Sequence, residues 1–297
     1  MIKTCKQIPL VALALLFIFA PDASAVTIVT HFIGGNAPDN TAGGGDLTDI
    51  MNTAAHMWES AYSDPTTITL HYGWATIGDA GTHTLVAQDG QPNREIEGLI
   101  LFDNSGAVSF YMDPTPELNE EYKRRTEEFQ DLGAEFINVA RILVNPVGDA
   151  VDRVDLLSVA LHEIGHAMGM CATNISFVEL SYDGVIIISE ELPFAGTVVP
   201  LAYNNSGFIP HFDASVVAYG SVMAGINGNE RRIPSELDIV TNARISGYTI
   251  ETLNPIQKAQ SDDSENNPDV EMRSGRGASN PGRSYNSEGR RNTLSTD

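Results

Sequence analysis

His162-Glu163-Ile164-Gly165-His166-Ala167-Met168-Gly169-Met170 follows directly on the apolar run Val154-Asp155-Leu156-Leu157-Ser158-Val159-Ala160-Leu161. Leu157, Leu161, Ile164 and Met168 recur at helical spacing, which predicts one helix with a buried face. Residues four apart stack on the same side of a helix, so His162 and His166 point together towards one ion, with Glu163 beside them. Two imidazoles and an adjacent carboxylate at this spacing supply two zinc ligands and a general base. The bland alternative is an amphipathic helix that happens to carry two satisfied histidines. The flanks weigh against it: Gly169 stands where a helix ends, and a second turn signal, Ser221-Val222-Met223-Ala224-Gly225, lies downstream.

These residues carry a resemblance to the metzincin clan of zinc endopeptidases, whose pattern is H-E-x-x-H-x-x-G-x-x-H/D followed by a Met-turn. His162, Glu163, His166, Gly169 and Met223 match it. The third ligand position does not, because Ala172 stands there and has no atom to offer a metal. His211 is the only histidine downstream, 45 residues after His166 and 12 before Met223. That layout resembles the leishmanolysin-like members, in which an insertion separates the glycine from the third histidine. The resemblance therefore implies His162, His166 and His211 as zinc ligands, Glu163 as catalytic base and Met223 as an apolar floor beneath the ion. Glu179, Glu190 and Glu191 are rival third ligands, since carboxylates serve that role in zinc hydrolases. Asp213 is a candidate to orient an imidazole. Tyr203, Tyr219 and Tyr248 are candidates for the tyrosine that often assists in this clan.

The expected fold is α+β: a metzincin-like zincin with a twisted mixed sheet over the active-site helix. A smaller C-terminal subdomain would hold the Met-turn and a closing helix. In the family an edge strand of the sheet pairs with extended substrate, and Val108–Met112 is the candidate edge here. The expected chemistry is peptide hydrolysis, with Glu163 taking a proton from an acidified water and passing it to the leaving amine. The alternative of another class is an exported binding or adhesion module with a structural zinc.

Residues 1–25 read as a cleaved signal peptide: Lys3 and Lys6, an apolar run from Pro9 to Ala20, and Ala23-Ser24-Ala25 as cleavage site. That run is shorter than the roughly 20 residues a spanning helix needs. The expectation is a secreted protein, or a periplasmic one in a bacterium, with no membrane association after cleavage. Removal of Cys5 leaves Cys171 alone, so no intrachain disulfide forms. Cys171 reads as a small buried hydrophobe.

Residues 26–254 form the expected catalytic domain, divided into 26–170 and 171–254. Strands are predicted at Val26–Phe32, Thr66–Trp74, His83–Gln88, Ile96–Asp103 and Val108–Met112. A helix capped by Asp46 runs to about Tyr62, with Ile50, Ala54, Met57 and Trp58 inward. Gly34–Asp46 reads as a flexible surface loop, and calcium at Gly43-Gly44-Gly45-Asp46 has no support beyond composition. The charged stretch Glu117–Gln130 reads as a solvated helix. Phe136–Val144 is strand or buried helix, and Asn145–Asp152 a loop. In the insertion, Phe177–Leu180 and Val185–Ile188 read as a hairpin turning at Asp183-Gly184. Ser235 caps a last helix to about Ser246, ended by Gly247. His56, His71 and His83 read as structural. In residues 255–297 large apolar residues almost vanish, and the segment is expected to be disordered.

The net charge is −22, and residues 26–254 alone carry 31 acidic against 9 basic side chains. Such a surface repels nucleic acid and anionic membranes. The expected partner is a protein or peptide substrate; the sequence does not fix an oligomeric state.

Overall fold

The structure is a computed structural model and describes residues 25–204, 207–217, 220–255 and 270–274; the expected signal peptide and most of the expected tail lie outside them. β1 (Thr27–Gly34) enters the core through Ile28, and Gly34 leaves it with a positive φ. Gly34–Asp46 is then tied down rather than loose. Ala42 N donates to Phe110 O (3.0 Å), Met112 N to Ala42 O (2.8 Å) and Gly45 N to Met112 O (2.9 Å). Backbone groups near a buried strand need partners, and the glycines let the chain come close enough to supply them. Asp46 accepts from Thr48 N and so caps α1 (Leu47–Ala61), which buries the four expected residues and also Leu47, Met51, Ala55 and Ala61.

β2 (Thr67–Ala75), β3 (Gly81–Asp89) and β4 (Arg94–Asp103) complete a four-stranded sheet of order β1-β2-β4-β3. β1, β2 and β4 run parallel, whereas β3 is antiparallel to β4 and forms one edge. β5 (Phe110–Tyr111) does not belong to this sheet. It pairs in parallel with β8 (Val154–Asp155), so the expected edge at Val108–Met112 is corrected to β3.

The charged stretch is a strand, β6 (Tyr122–Asp131), hairpinned onto β7 (Phe136–Pro146), and not a helix. Part of its charge is paired on the sheet instead of solvated. Glu127 stands opposite Arg141 in register, their charged groups 3.8 Å apart, and Arg125 reaches Glu127 at 2.5 Å. β7 settles the open strand-or-helix choice as strand. Within Asn145–Asp152, Gly148–Ala150 forms a short 3-10 turn.

Asp155 caps α2 (Leu156–Ala167), accepting from Ser158 N at 2.9 Å, and every residue of α2 is buried. α2 lies against α1, where Trp58 Nε1 donates to Leu161 O (2.9 Å), and against β3. The expected hairpin is corrected in its first arm. Asn174 accepts from Phe177 N and starts a helix, α3 (Ile175–Leu180), that buries Phe177. β9 (Val185–Ile187) pairs with β10 (Val198–Asn204), which pairs with β11 (Gly207–Phe212). β12 (Glu230–Ile233) joins β7, and α4 (Glu236–Ser246) carries a full capping box at Ser235 and Asp238. Gly247 ends α4 in the left-handed region, as its sequence predicts. Inside the expected tail, β13 (Val270–Ser274) runs parallel to β6, since edge pairing needs backbone groups and no core. The fold is thus α+β, with several sheets around few helices.

Candidate metal centre

His162 and His166 project from one side of α2, and β11 brings His211 to meet them. The Nε2 atoms of His166 and His211 lie 3.1 and 3.0 Å from that of His162. The three rings form a compact cup. The His162 and His211 rings are nearly parallel at 16°, and His166 stands edge-on to both at 83° and 89°. One nitrogen from each lies within 4.8 Å of the others, an arrangement that can hold a metal ion.

The backbone decides which nitrogens face inward. His162 Nδ1 is 2.7 Å from Val222 O, and His166 Nδ1 is 2.6 Å from Met170 O. A carbonyl can only accept, so both Nδ1 atoms carry the proton and both Nε2 atoms present bare lone pairs. Two bare lone pairs 3.1 Å apart repel each other unless a cation lies between them. Burial keeps all three imidazoles neutral. It lowers His162 to a pKa of about 3, with His211 adding to the effect, and lowers His166 well below its ordinary value, with His162 adding. His211 is lowered by burial as well. Its Nδ1 is buried without a hydrogen-bond partner.

Glu163 lies beside the cup, almost fully buried. Its Oε1 fits against β3 because position 81 is glycine: a Cβ there would stand 2.6 Å from that oxygen. Burial first, and then the charge of Asp79, push the Glu163 pKa up to about 8.

Met223 sits in a 3-10 turn, Val222–Ala224, whose first residue supplies the carbonyl that holds His162. The turn is itself anchored by α4. Asp238 Oδ1 accepts from Ser221 Oγ (2.6 Å) and Met223 N (3.1 Å), while its Oδ2 accepts from Ser235 N (2.8 Å) and Ser235 Oγ (2.6 Å). Sequence reasoning found Ser235 as a cap and missed this second duty of Asp238, which only the tertiary fold creates.

Other candidates fall away from the cup. Glu179, Glu190 and Glu191 are not in the converging group among the described residues. Asp213 spends Oδ1 on Ser215 N and Oγ (3.0 and 2.6 Å), a local turn, rather than on an imidazole. Tyr203 is exposed, Tyr248 is buried against Tyr62 and Arg94, and Tyr219 lies outside the described residues. Asp46 uses its carboxylate to cap α1.

His83 is structural in its bonding but not remote. It is buried on β3 two residues beyond Gly81, bonds Glu95 Oε1 at 2.8 Å, and its ring centroid is 6.2 Å from that of His166. Burial pushes the Glu95 pKa up to about 9. Cys171 is buried as expected, yet in polar company. Burial raises its pKa, and hydrogen bonds with His83 and Thr173 more than offset that, leaving it below the ordinary thiol value.

No family model, curated protein or solved structure matches the chain.

Proposed function

We propose that the chain is an exported zinc endopeptidase of metzincin type, with His162, His166 and His211 as ligands and Glu163 as general base. The observation that carries this reading is the convergence of three neutral imidazoles beside a buried carboxylate. Zinc is the ion we assign, because three nitrogens this close suit Zn–N bonds of about 2.0–2.1 Å and an all-imidazole set suits zinc. Zinc held by three protein ligands supplies a Lewis acid and an acidified water at its open position.

The protein's own residues supply the rest. Val222 O and Met170 O fix both α2 imidazoles in the ligating tautomer. Glu163, with a pKa near 8 in its dry pocket, has the proton affinity to accept a proton and return it to a leaving amine. β3 offers an open antiparallel edge beside Glu163, where an extended chain can pair by backbone hydrogen bonds. The turn at Met223 below the ligands fits the same clan. A structural zinc in a binding module is disfavoured because three ligands converge among the described residues, whereas structural sites are closed by four.

The test is zinc content alongside casein hydrolysis for wild type, Glu163→Gln and His211→Ala. The proposal expects one zinc per chain and chelator-sensitive cleavage in wild type. Glu163→Gln should keep the zinc and lose turnover, and His211→Ala should lose both. Cleavage that survives in Glu163→Gln would remove the general base from the reading.

A further inference from the structure

Among the described residues Asp79 has no cationic partner, and the turn that carries it is held firmly where β3 begins beside Glu163. The turn Thr76–Ala80 joins β2 to β3, and four hydrogen bonds clamp it to the end of β4 and the residue after it. Ile77 N donates to Asp103 Oδ1 (3.2 Å), Asp103 N to Ala80 O (3.2 Å), Asn104 N to Ala75 O (3.0 Å), and Thr76 Oγ1 bonds Asn104 Oδ1 (3.0 Å). Asp103 is buried and braced in turn by Ser105 Oγ at 2.5 Å. A turn fixed at both ends presents its apex in one place.

At that apex Asp79 is exposed, and its Oδ1 accepts only from the next backbone N–H, Ala80, at 3.1 Å. No lysine, arginine or histidine among the described residues forms an ion pair with it. Two residues further on, Gly81 lies so close to Glu163 that a Cβ there would stand 2.6 Å from Oε1, which puts the turn that carries Asp79 beside the general base, and the charge of Asp79 acts on Glu163 and His211. Arg232, whose charge lowers the His162 pKa, is buried and bound to Glu230. Among the described residues, therefore, no cation pairs with this exposed carboxylate. Residues 26–254, with 31 acidic and 9 basic side chains, extend the same sign over the surface and draw cations inward.

We propose that the site takes cationic peptides, and that Asp79 pairs with a lysine or arginine side chain close to the bond being cut. The proposal rests on the peptidase reading above and adds to it the substrate class. A neutral substrate leaves Asp79 solvated and gains nothing from it, and an acidic residue at the same position is repelled. Asp79 is a specificity-determining residue here and takes no part in proton transfer.

The test uses the zinc-loaded Glu163→Gln chain and fluorescein-labelled octapeptides with one lysine moved through successive positions. Each peptide has a counterpart carrying acetyl-lysine, equal in length and without the charge. Fluorescence anisotropy at low ionic strength gives Kd, and the wild-type chain gives kcat/KM on the same peptides. The expected result is tighter binding of the lysine form at one or two positions, by up to about fivefold for an exposed pair. Asp79→Asn keeps the acceptor for Ala80 N and removes the preference at those positions; Asp79→Lys reverses it. A lysine preference spread over all positions and unchanged in Asp79→Asn reports only the overall charge and overturns the proposal, as does absence of binding by every peptide. An Asp79-dependent preference without cleavage sinks the peptidase reading and leaves the cation subsite standing. Cleavage indifferent to Asp79 does the opposite.

Discussion

Met223 Sδ rests on the bare Cα of Gly165, so closely that a Cβ at position 165 would stand well inside van der Waals contact distance of the sulfur. The helix that carries both α2 ligands and the turn that fixes His162 are pressed together at this one glycine. Trp58 crowds the same spot, 3.2 Å from where the Cβ would stand. Gly165→Ala should therefore overpack a sealed site and cost about 1–3 kcal/mol. Because the strain pushes the turn away, zinc affinity should drop with it. Thermal melting and competitive zinc titration check both. A variant as stable as wild type with unchanged affinity would mean that the turn yields freely.

The ligands make the metal-free protein sensitive to acid. Each buried imidazole has a folded pKa below its ordinary 6.5, about 3 for His162. The unfolded chain binds protons that the folded one refuses, so this stability is intact above pH 6.5 and lost as pH falls towards 3. The acid limb of the metal-free Tm–pH curve should be shallower in a His162→Gln, His166→Gln double variant than in wild type. Equal slopes would show that the histidines are not held neutral by burial.

Glu95 acts in the other direction. Its folded pKa, raised from 4.5 to about 9, makes the folded state hold a proton that the unfolded chain has released. That contribution is full below pH 4.5 and lost as pH rises towards 9. Glu95→Gln, neutral throughout, should flatten the decline of Tm between those limits. A parallel decline in both proteins would place the ionised form of Glu95 in the folded state.

Arg231 is fully buried between Asp113 and Asp155, and it lies over the ring of Tyr122 at 5.0 Å. Its Nε and Nη2 reach the two oxygens of Asp155 at 3.1 and 3.0 Å, the same carboxylate that caps α2. Arg231→Met strands two buried carboxylates and should cost about 3–5 kcal/mol. Adding Asp113→Asn should recover part of the loss. Denaturant midpoints measure both, and a loss under 1 kcal/mol, roughly the value of an exposed pair, would show that water reaches the cluster.

The parts of this architecture visible in the sequence are those decided locally. The spacing of His162 and His166, the caps at Asp46 and Ser235, and the stop at Gly247 each depend on residues within one or two turns. β6 was hidden because its Glu127 is paired with Arg141, which a hairpin brings opposite and local composition does not reveal. α3 did leave a signal, Asn174 ahead of Ile175, which the Asp183-Gly184 turn outweighed in favour of a hairpin. His83 looked isolated because its partner Glu95 lies on the neighbouring strand and its neighbour Cys171 beyond α2. His211 was reachable by elimination and resemblance, whereas its meeting with His162 depends on how β11 packs.

Asp238 shows how far from the ions a ligand can be tuned. It touches no imidazole, yet it accepts Met223 N and Ser221 Oγ and so fixes the turn whose Val222 carbonyl orients His162. Asp238→Asn replaces one acceptor oxygen with a donor amide and sets it against a donor. The turn should shift, and zinc affinity should fall about 10–100-fold, the range for losing a partner of a metal ligand. Ser235→Ala provides the contrast. It removes the cap of α4 at about 1 kcal/mol but leaves Asp238 Oδ1 and the Met223 turn in place, so zinc affinity should hold. Zinc titration and melting curves on both variants separate the roles. If the two lose affinity equally, or neither does, Asp238 serves the helix alone.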